Sequence, residues 1–188
     1  MTDSVELCAR AFAKIGQTSF ERFADGSLEG DLAAKLYGGC RDRVLSVHPW
    51  NFALKRARLV HVDDFAEGDY AYGYALPSDF LRAVSVGYGD AVRGVVYRLL
   101  GDVLECDAEM VSMLYGARVE EARFPPFFQE ALVAHLAAEF CLPLTENSSR
   151  SEVLARRAQQ FLQQARLIDA QQDTPLAFDG FSLLEGRE

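Results

Sequence analysis

The side chains able to do chemistry in this chain are few and scattered. Four cysteines, Cys8, Cys40, Cys106 and Cys141, lie far apart, and His48, His61 and His135 are dispersed among them. Zinc sites draw their ligands as closely spaced Cys or His pairs, and no such spacing occurs. The thiols therefore read as reduced, buried packing groups. No Ser-His-Asp order, Walker-type phosphate loop or dinucleotide glycine fingerprint is present; Gly87-Tyr88-Gly89 and Gly94 do not fit one. The sequence thus predicts no catalytic residue, no cofactor and no metal. Tyr70, Tyr72 and Tyr74 alternate at the strand period and should share one sheet face. Such a face serves packing first, and a stacking surface for a small molecule or peptide second.

Charge narrows the partners. The formal net charge is −9 over 188 residues, which argues against a general affinity for phosphate backbones, because that affinity depends on clustered Lys and Arg. Lys55, Arg56 and Arg58 form one basic cluster and Arg150, Arg156 and Arg157 another; both read as solvated or interface faces. An acidic protein can still surround DNA without gripping it, since a wall of the same sign as the phosphates reduces sticking. With 49% hydrophobic and 25% charged residues, the composition supports a packed core rather than disorder. No apolar run approaches a bilayer span, and Met1-Thr2-Asp3-Ser4-Val5-Glu6 lacks the regions of a signal peptide. A soluble chain made in the cytoplasm, without membrane contact, is expected.

The elements that position these residues follow from periodicity. Val5, Cys8, Phe12 and Ile15 predict a first helix over 4–15, stopped by Gly16. Leu32, Leu36, Cys40, Val44 and Val47 recur at steps of three and four and predict a second helix over 28–48. Gly38 and Gly39 inside it should serve a close approach by a neighbouring helix, or else merely weaken it. Pro49 disfavours helical dihedrals at His48, so the helix should stop there. Trp50 and Phe52 then carry a large apolar area into whatever packs beside that end. Pro49, Trp50, Asn51 and Phe52 thus form a hinge between a helical layer and a sheet, a signature of fold rather than an active site.

Residues 54–118 read as β-rich. Gly101-Asp102 sits at hairpin spacing between the runs 95–100 and 103–106, and Val111, Met113 and Tyr115 alternate as a last strand. Pro125-Pro126 opens a third helix with a buried stripe of Phe128, Leu132, His135, Leu136 and Phe140, ended by Pro143. His135 on that stripe reads as a core histidine. Ser149 and Glu152 form a capping box for a fourth helix, with Leu154, Ala158, Phe161, Ala165 and Ile168 inward. Its opposite face, with Arg156, Gln160, Gln163, Gln164 and Gln171, is either a candidate subunit interface or a plain solvent face. The last segment, 173–188, has no helical period but carries Leu176, Phe178, Phe181, Leu183 and Leu184. Burying these apolar groups and ordering their backbone are contributions of similar size and opposite sign. Such an arm orders against a partner, or folds back on its own subunit.

The predicted class is α+β. An antiparallel bundle of about four helices carries a small, mostly antiparallel β subdomain between helices two and three, followed by an extended C-terminal arm. Its parts are 1–52 (helical hairpin), 53–122 (β-rich insertion), 123–172 (second helical hairpin) and 173–188 (arm).

Several strings occur here in a telling order. A helix ends in Pro49-Trp50-Asn51-Phe52-Ala53, a basic-aliphatic strand follows over 54–62, and a Tyr-rich strand ends in Leu76-Pro77-Ser78-Asp79-Phe80-Leu81-Arg82. Tyr115, Phe124-Pro125-Pro126-Phe127-Phe128 and Leu142-Pro143-Leu144-Thr145 continue it. Over most of residues 4–172 this resembles the tail tubular protein A family of short-tailed bacteriophages; Gly38 and Gly39 depart from the family pattern. The resemblance implies a non-enzymatic virion protein at the head-to-tail junction of a phage, prophage or gene transfer agent. It implies a dodecameric homo-oligomeric ring beneath the portal protein, through which DNA passes without specific binding, and a platform for the next tail component. The arm residues Leu176, Phe178, Phe181, Leu183 and Leu184 are then candidates for contact with the portal or a neighbouring subunit.

Overall fold

A computed structural model describes residues 3–17, 20–62 and 69–172. The order is α1 (Ser4–Lys14), α2 (Leu28–Ser46), β1 (Leu54–Arg58), β2 (Val60–His61), β3 (Tyr72–Ala75), β4 (Phe80–Tyr88), β5 (Tyr97–Leu100), β6 (Val103–Cys106), β7 (Val111–Ala117), α3 (Pro126–Thr145) and α4 (Ser148–Ala170). The class is the α+β arrangement expected from the sequence, with antiparallel strands placed between the second and third helices.

α3 is the centre of the helical layer and packs against α1, α2 and α4. Its predicted stripe, Phe128, Leu132, His135, Leu136 and Phe140, is buried, together with Ala131, Val133, Ala134, Ala137 and Cys141. Burial on so many sides explains its composition. Within its 20 residues an 18-residue window reaches a mean hydropathy of 1.2, which meets the length and composition of a membrane span where no such apolar run is expected from the sequence. Glu130, His135 and Glu139 interrupt the run, and the helix lies inside the protein core. Phe12 of α1 stacks on Phe140 with ring centroids 4.4 Å apart. α1 ends as Gly16 predicts: Gly16 adopts φ +84°, its amide donates to Ala13 O, and the Gln17 amide donates to Phe12 O. That pair of bonds closes the helix in a Schellman motif.

Two helix boundaries and one buried face differ from expectation. Pro143 does not end α3, which runs on to Thr145. Only the last turn lies beyond the proline, and there the Thr145 hydroxyl bonds Cys141 O at 2.7 Å while the Glu146 amide bonds Leu142 O at 3.0 Å. Nor do Ser149 and Glu152 cap α4. Asn147 does, its side-chain oxygen accepting from the Arg150 amide at 2.9 Å, because the two-residue turn after α3 brings the chain into helix sooner. In α2 the buried face is Ala33, Tyr37, Cys40, Val44 and Leu45, with Leu32 and Leu36 half-buried and Val47 exposed.

The β region forms two antiparallel sheets rather than one, β1-β7-β4 and β2-β3-β6-β5. The expected strand over 54–62 breaks at Leu59, whose amide bonds Val111 O at 3.0 Å; β1 thus pairs with β7 and β2 with β3. β7 is the middle strand of its sheet, and six of its seven residues are buried. The Gly101-Asp102 turn joins β5 to β6 as predicted, with Leu100 opposite Val103. Gly101 takes the positive φ, +58°, that a two-residue hairpin turn needs.

Gly38 and Gly39 serve no close approach: a Cβ placed on either meets no atom of another element within 4 Å. They act only as weak points in α2. Gly38→Ala and Gly39→Ala should each raise stability by about 0.5–1 kcal/mol, read as a higher urea midpoint with an unchanged slope.

Candidate functional site

The predicted hinge is a lock between helices and sheet. Trp50 is fully buried. Its indole Nε1 donates to Val44 O at 3.0 Å, and its ring meets Phe128 edge-on at 5.1 Å. Phe52 packs against the same Phe128 at 4.9 Å. Two further carbonyls at the end of α2 are taken from a distance: Ser46 O accepts from Arg82 of β4 at 3.1 Å, and Val47 O from Arg166 of α4 at 3.3 Å. Asn51 completes the lock through Asp169. The Asn51 amide donates to the Asp169 carboxylate at 3.1 Å, and Asn51 Nδ2 to Asp169 O at 2.9 Å.

Asp169, 1% exposed, was not foreseen as a partner, and neither were Arg82 and Arg166. His48 Nε2 lies 3.3 Å from Asp169 Oδ2. Burial lowers the His48 pKa against the opposing pull of Asp169, and the Arg166 and Arg82 charges lower it further. A His–Asp pair invites comparison with a nucleophile-activating site. The nearest hydroxyl in sequence, Ser46 Oγ, instead donates to Asp42 O of its own helix at 2.6 Å, so the geometry is that of a structural network.

The predicted interface face is exposed. Arg156, Gln160, Gln163 and Gln164 all face solvent on α4. The buried stripe of α4 is Ala158, Leu162, Ala165 and Asp169. Leu154 and Phe161 are half-buried, and Ile168, expected inside, is 43% exposed. The phase is set by Leu162 and Asp169, which shifts the stripe away from Ile168. Val153 at 53% and Leu167 at 66% exposure add apolar surface. Between α2, α3 and α4 runs a groove of about 350 Å³ whose polar lining is Arg43, His135, Glu139, Gln159 and Arg166.

The tyrosine face does not form as predicted. Tyr74 is buried and its hydroxyl donates to Ala108 O at 2.6 Å; the His61 ring lies 4.5 Å from it and 5.3 Å from Tyr72. Tyr70 lies before β3 and packs on the Arg98 guanidinium at 5.4 Å. Arg98 is fixed by Glu105 and Asp69 at 2.6 and 2.7 Å. No open stacking surface is shared by the three tyrosines.

All four cysteines are buried and free. Burial pushes the Cys8 thiol up to about 12 and the Cys40 thiol up to about 11, so both are protonated, weak nucleophiles at neutral pH. Among the described residues no cluster of three or more His, Cys, Asp or Glu side chains is placed to hold a metal. Leu176, Phe178, Phe181, Leu183 and Leu184 lie outside the described residues. No protein-family model matches the chain, and no curated protein matches it.

Removing the Asp169 carboxylate strands the Asn51 amide in a buried site. Asp169→Ala should lower stability by about 2–3 kcal/mol, with amide exchange at Asn51 accelerated before that of α1. The histidines give a pH signature. Burial lowers the pKa of His48 and of His135; against His135, Arg43 also lowers it, while Glu139 and the Ala131 carbonyl raise it. Below an ordinary histidine pKa of about 6.5 the unfolded chain takes up protons first. Stability should be full above about pH 6.5 and fall as pH drops below it toward the lower folded-state values. Urea midpoints at about pH 8 and 5.5 should show this loss, and His48→Gln should reduce it.

Proposed function

We propose that this chain is a subunit of a head-to-tail adaptor: a non-enzymatic virion protein that forms a ring beneath the portal, lets DNA pass and presents a platform for the next tail component. The reading rests chiefly on the ordered hinge. The end of α2, Pro49-Trp50-Asn51-Phe52, the basic strand β1, the Leu76–Arg82 run into β4 and the Phe124–Phe128 opening of α3 stand in the order that carries the family resemblance. The described structure supports it with a rigid joint and a largely exposed α4. That helix carries Arg156, Gln160, Gln163 and Gln164 beside exposed Val153 and Leu167, a mixture of amide, arginine and apolar surface suited to a subunit contact. In this reading an overall charge of −9 keeps the channel wall from holding DNA. The particle is that of a phage, prophage or gene transfer agent, assembled in the host cytoplasm.

Mixing the purified protein with the portal protein encoded nearby should give a stacked ring with equal copies of each, seen by native mass spectrometry and negative-stain imaging. Two folded proteins that form no complex at high concentration and low salt would refute the reading. Deleting residues 174–188 should abolish portal binding while the helical circular dichroism is retained. Unchanged portal binding would remove these residues as the clamp.

A further inference from the structure

The second sheet runs β2-β3-β6-β5, so β5 (Tyr97–Leu100) lies at its margin. A free sheet edge is a template for pairing, and proteins ordinarily shield it with charge, with proline or by keeping the strand very short. β1, at the edge of the other sheet, carries Lys55, Arg56 and Arg58, and β2 has only two residues. β5 has neither protection. Val96 is 78% exposed, Leu100 60% and Leu99 39%. The one charge of the strand, Arg98, is held by Asp69 and Glu105 at 2.7 and 2.6 Å.

The hydrogen-bond phase of this edge follows from the ladder. The Leu76 amide donates to Asp102 O, so in β6 the backbone groups of Leu104 and Cys106 point to β3 and those of Val103 and Glu105 point to β5. Leu100 lies opposite Val103, and Arg98 opposite Glu105. The amides and carbonyls of Tyr97 and Leu99 therefore point out of the sheet, and they have no partner among the described residues. The free stretch is bounded on both sides. The Val95 amide, which shares this phase, donates to Val86 O of β4, and the Gly101-Asp102 turn follows Leu100.

These limits select the occupant. A second copy of β5, run antiparallel, answers every outward group in one register, with Arg98 on the two-fold axis. Tyr97 then pairs with Leu99 of the second copy and Leu99 with its Tyr97, each pair exchanging both amide–carbonyl bonds. Shifting the register either way sets Val95, whose amide is taken, or Gly101 of the turn opposite one of them. The same register brings Val96 opposite Leu100 of the second copy, so the most exposed apolar side chains of the strand cover each other. It also prolongs an existing row. Val60, Ala75, Val103 and Leu100 stand side by side across the four strands, and Val96 of the second copy comes next. The two Arg98 side chains meet at the axis already paired with carboxylates. We propose that β5 is a self-pairing edge through which two copies of this chain join in a two-fold, antiparallel contact that makes their sheets continuous. The inference does not depend on the adaptor reading, whose ring closes through a head-to-tail contact of another kind.

Sedimentation of the full-length protein tests it. The contact is small and of the transient kind, so the weight-average mass should rise from one chain towards two between about 10 μM and about 1 mM. Leu99→Pro removes an outward amide and no β5–β6 bond, and proline is tolerated on an edge strand. It should weaken the dimer at least about tenfold with unchanged circular dichroism. Cross-linking reads the register. Val96→Cys with Leu100→Cys sets thiols opposite each other in non-hydrogen-bonded pairs, with Cα atoms about 4.5 Å apart, within reach of a disulfide; the native cysteines are buried. Mild oxidation should give a covalent dimer from the double variant and not from Val96→Cys alone. Three results would each overturn the proposal: a single-chain mass at every concentration, a dimer unaffected by Leu99→Pro, and cross-linking as efficient through Val96→Cys alone as through both cysteines.

Discussion

The C-terminal end of α2 governs this structure. A helix end leaves carbonyls without partners, and here the chain cannot supply them by continuing, because Pro49 carries no amide hydrogen and directs the backbone away from the helix. The donors come instead from three places: the Trp50 indole in the hinge, Arg82 on β4 and Arg166 on α4. Each such bond contributes only about 1 kcal/mol net, and the penalty of about 1–3 kcal/mol for an unpaired buried group bears most on the buried Trp50–Val44 bond, the Arg82 bond being part-buried and the Arg166 bond exposed. Satisfying one helix end therefore fixes a sheet strand and a distant helix together.

The same helix is tied to the sheets along its length. Tyr37 OH donates to Glu121 at 2.8 Å, Arg41 pairs with Glu121 at 3.3 Å, and Arg118 pairs with Asp42 at 2.6 Å. Glu121 and Arg118 belong to the segment leaving β7, so these contacts set how the chain exits the sheet and enters α3. At the start of β1, beside the same exit from β7, Asp79 accepts from Lys55 and Tyr115 at 2.6 and 3.0 Å. α2 works as a beam to which both layers attach, which explains how it remains ordered despite Gly38 and Gly39.

What could be read from the sequence was whatever a local rule determines. The Gly16 stop, the α3 stripe, the Pro49–Trp50 hinge and the Gly101-Asp102 turn each follow from a few neighbouring residues, and each was found in place. The misses share another cause. Asp169 occupies the buried phase of α4, where a charge is expected only if a partner waits for it, and that partner, Asn51, is 118 residues away. Once Asp169 and Leu162 fix the phase, Ile168 must turn outward. Tyr70 leaves the alternation of Tyr72 and Tyr74 because Arg98, held by Asp69 and Glu105, offers its guanidinium face. The break at Leu59 that divides one expected sheet into two depends on Val111 O, again a distant partner. Periodicity reports which face is apolar; it does not report what a charged group will meet.

α4 packs chiefly on α3. Its contact with the body follows Ala158, Leu162, Ala165 and Asp169, with half-buried Leu154 and Phe161 beside them, and the Asp169 network adds a polar anchor at its end. The opposite side is left with arginines, glutamines and exposed Val153 and Leu167. A helix packed along one side on α3 and anchored at its end can accept contacts on its exposed faces without disturbing the core. A net-basic α4 within a chain of charge −9 puts surfaces of opposite sign on one molecule, the property that head-to-tail closure of the proposed ring would require.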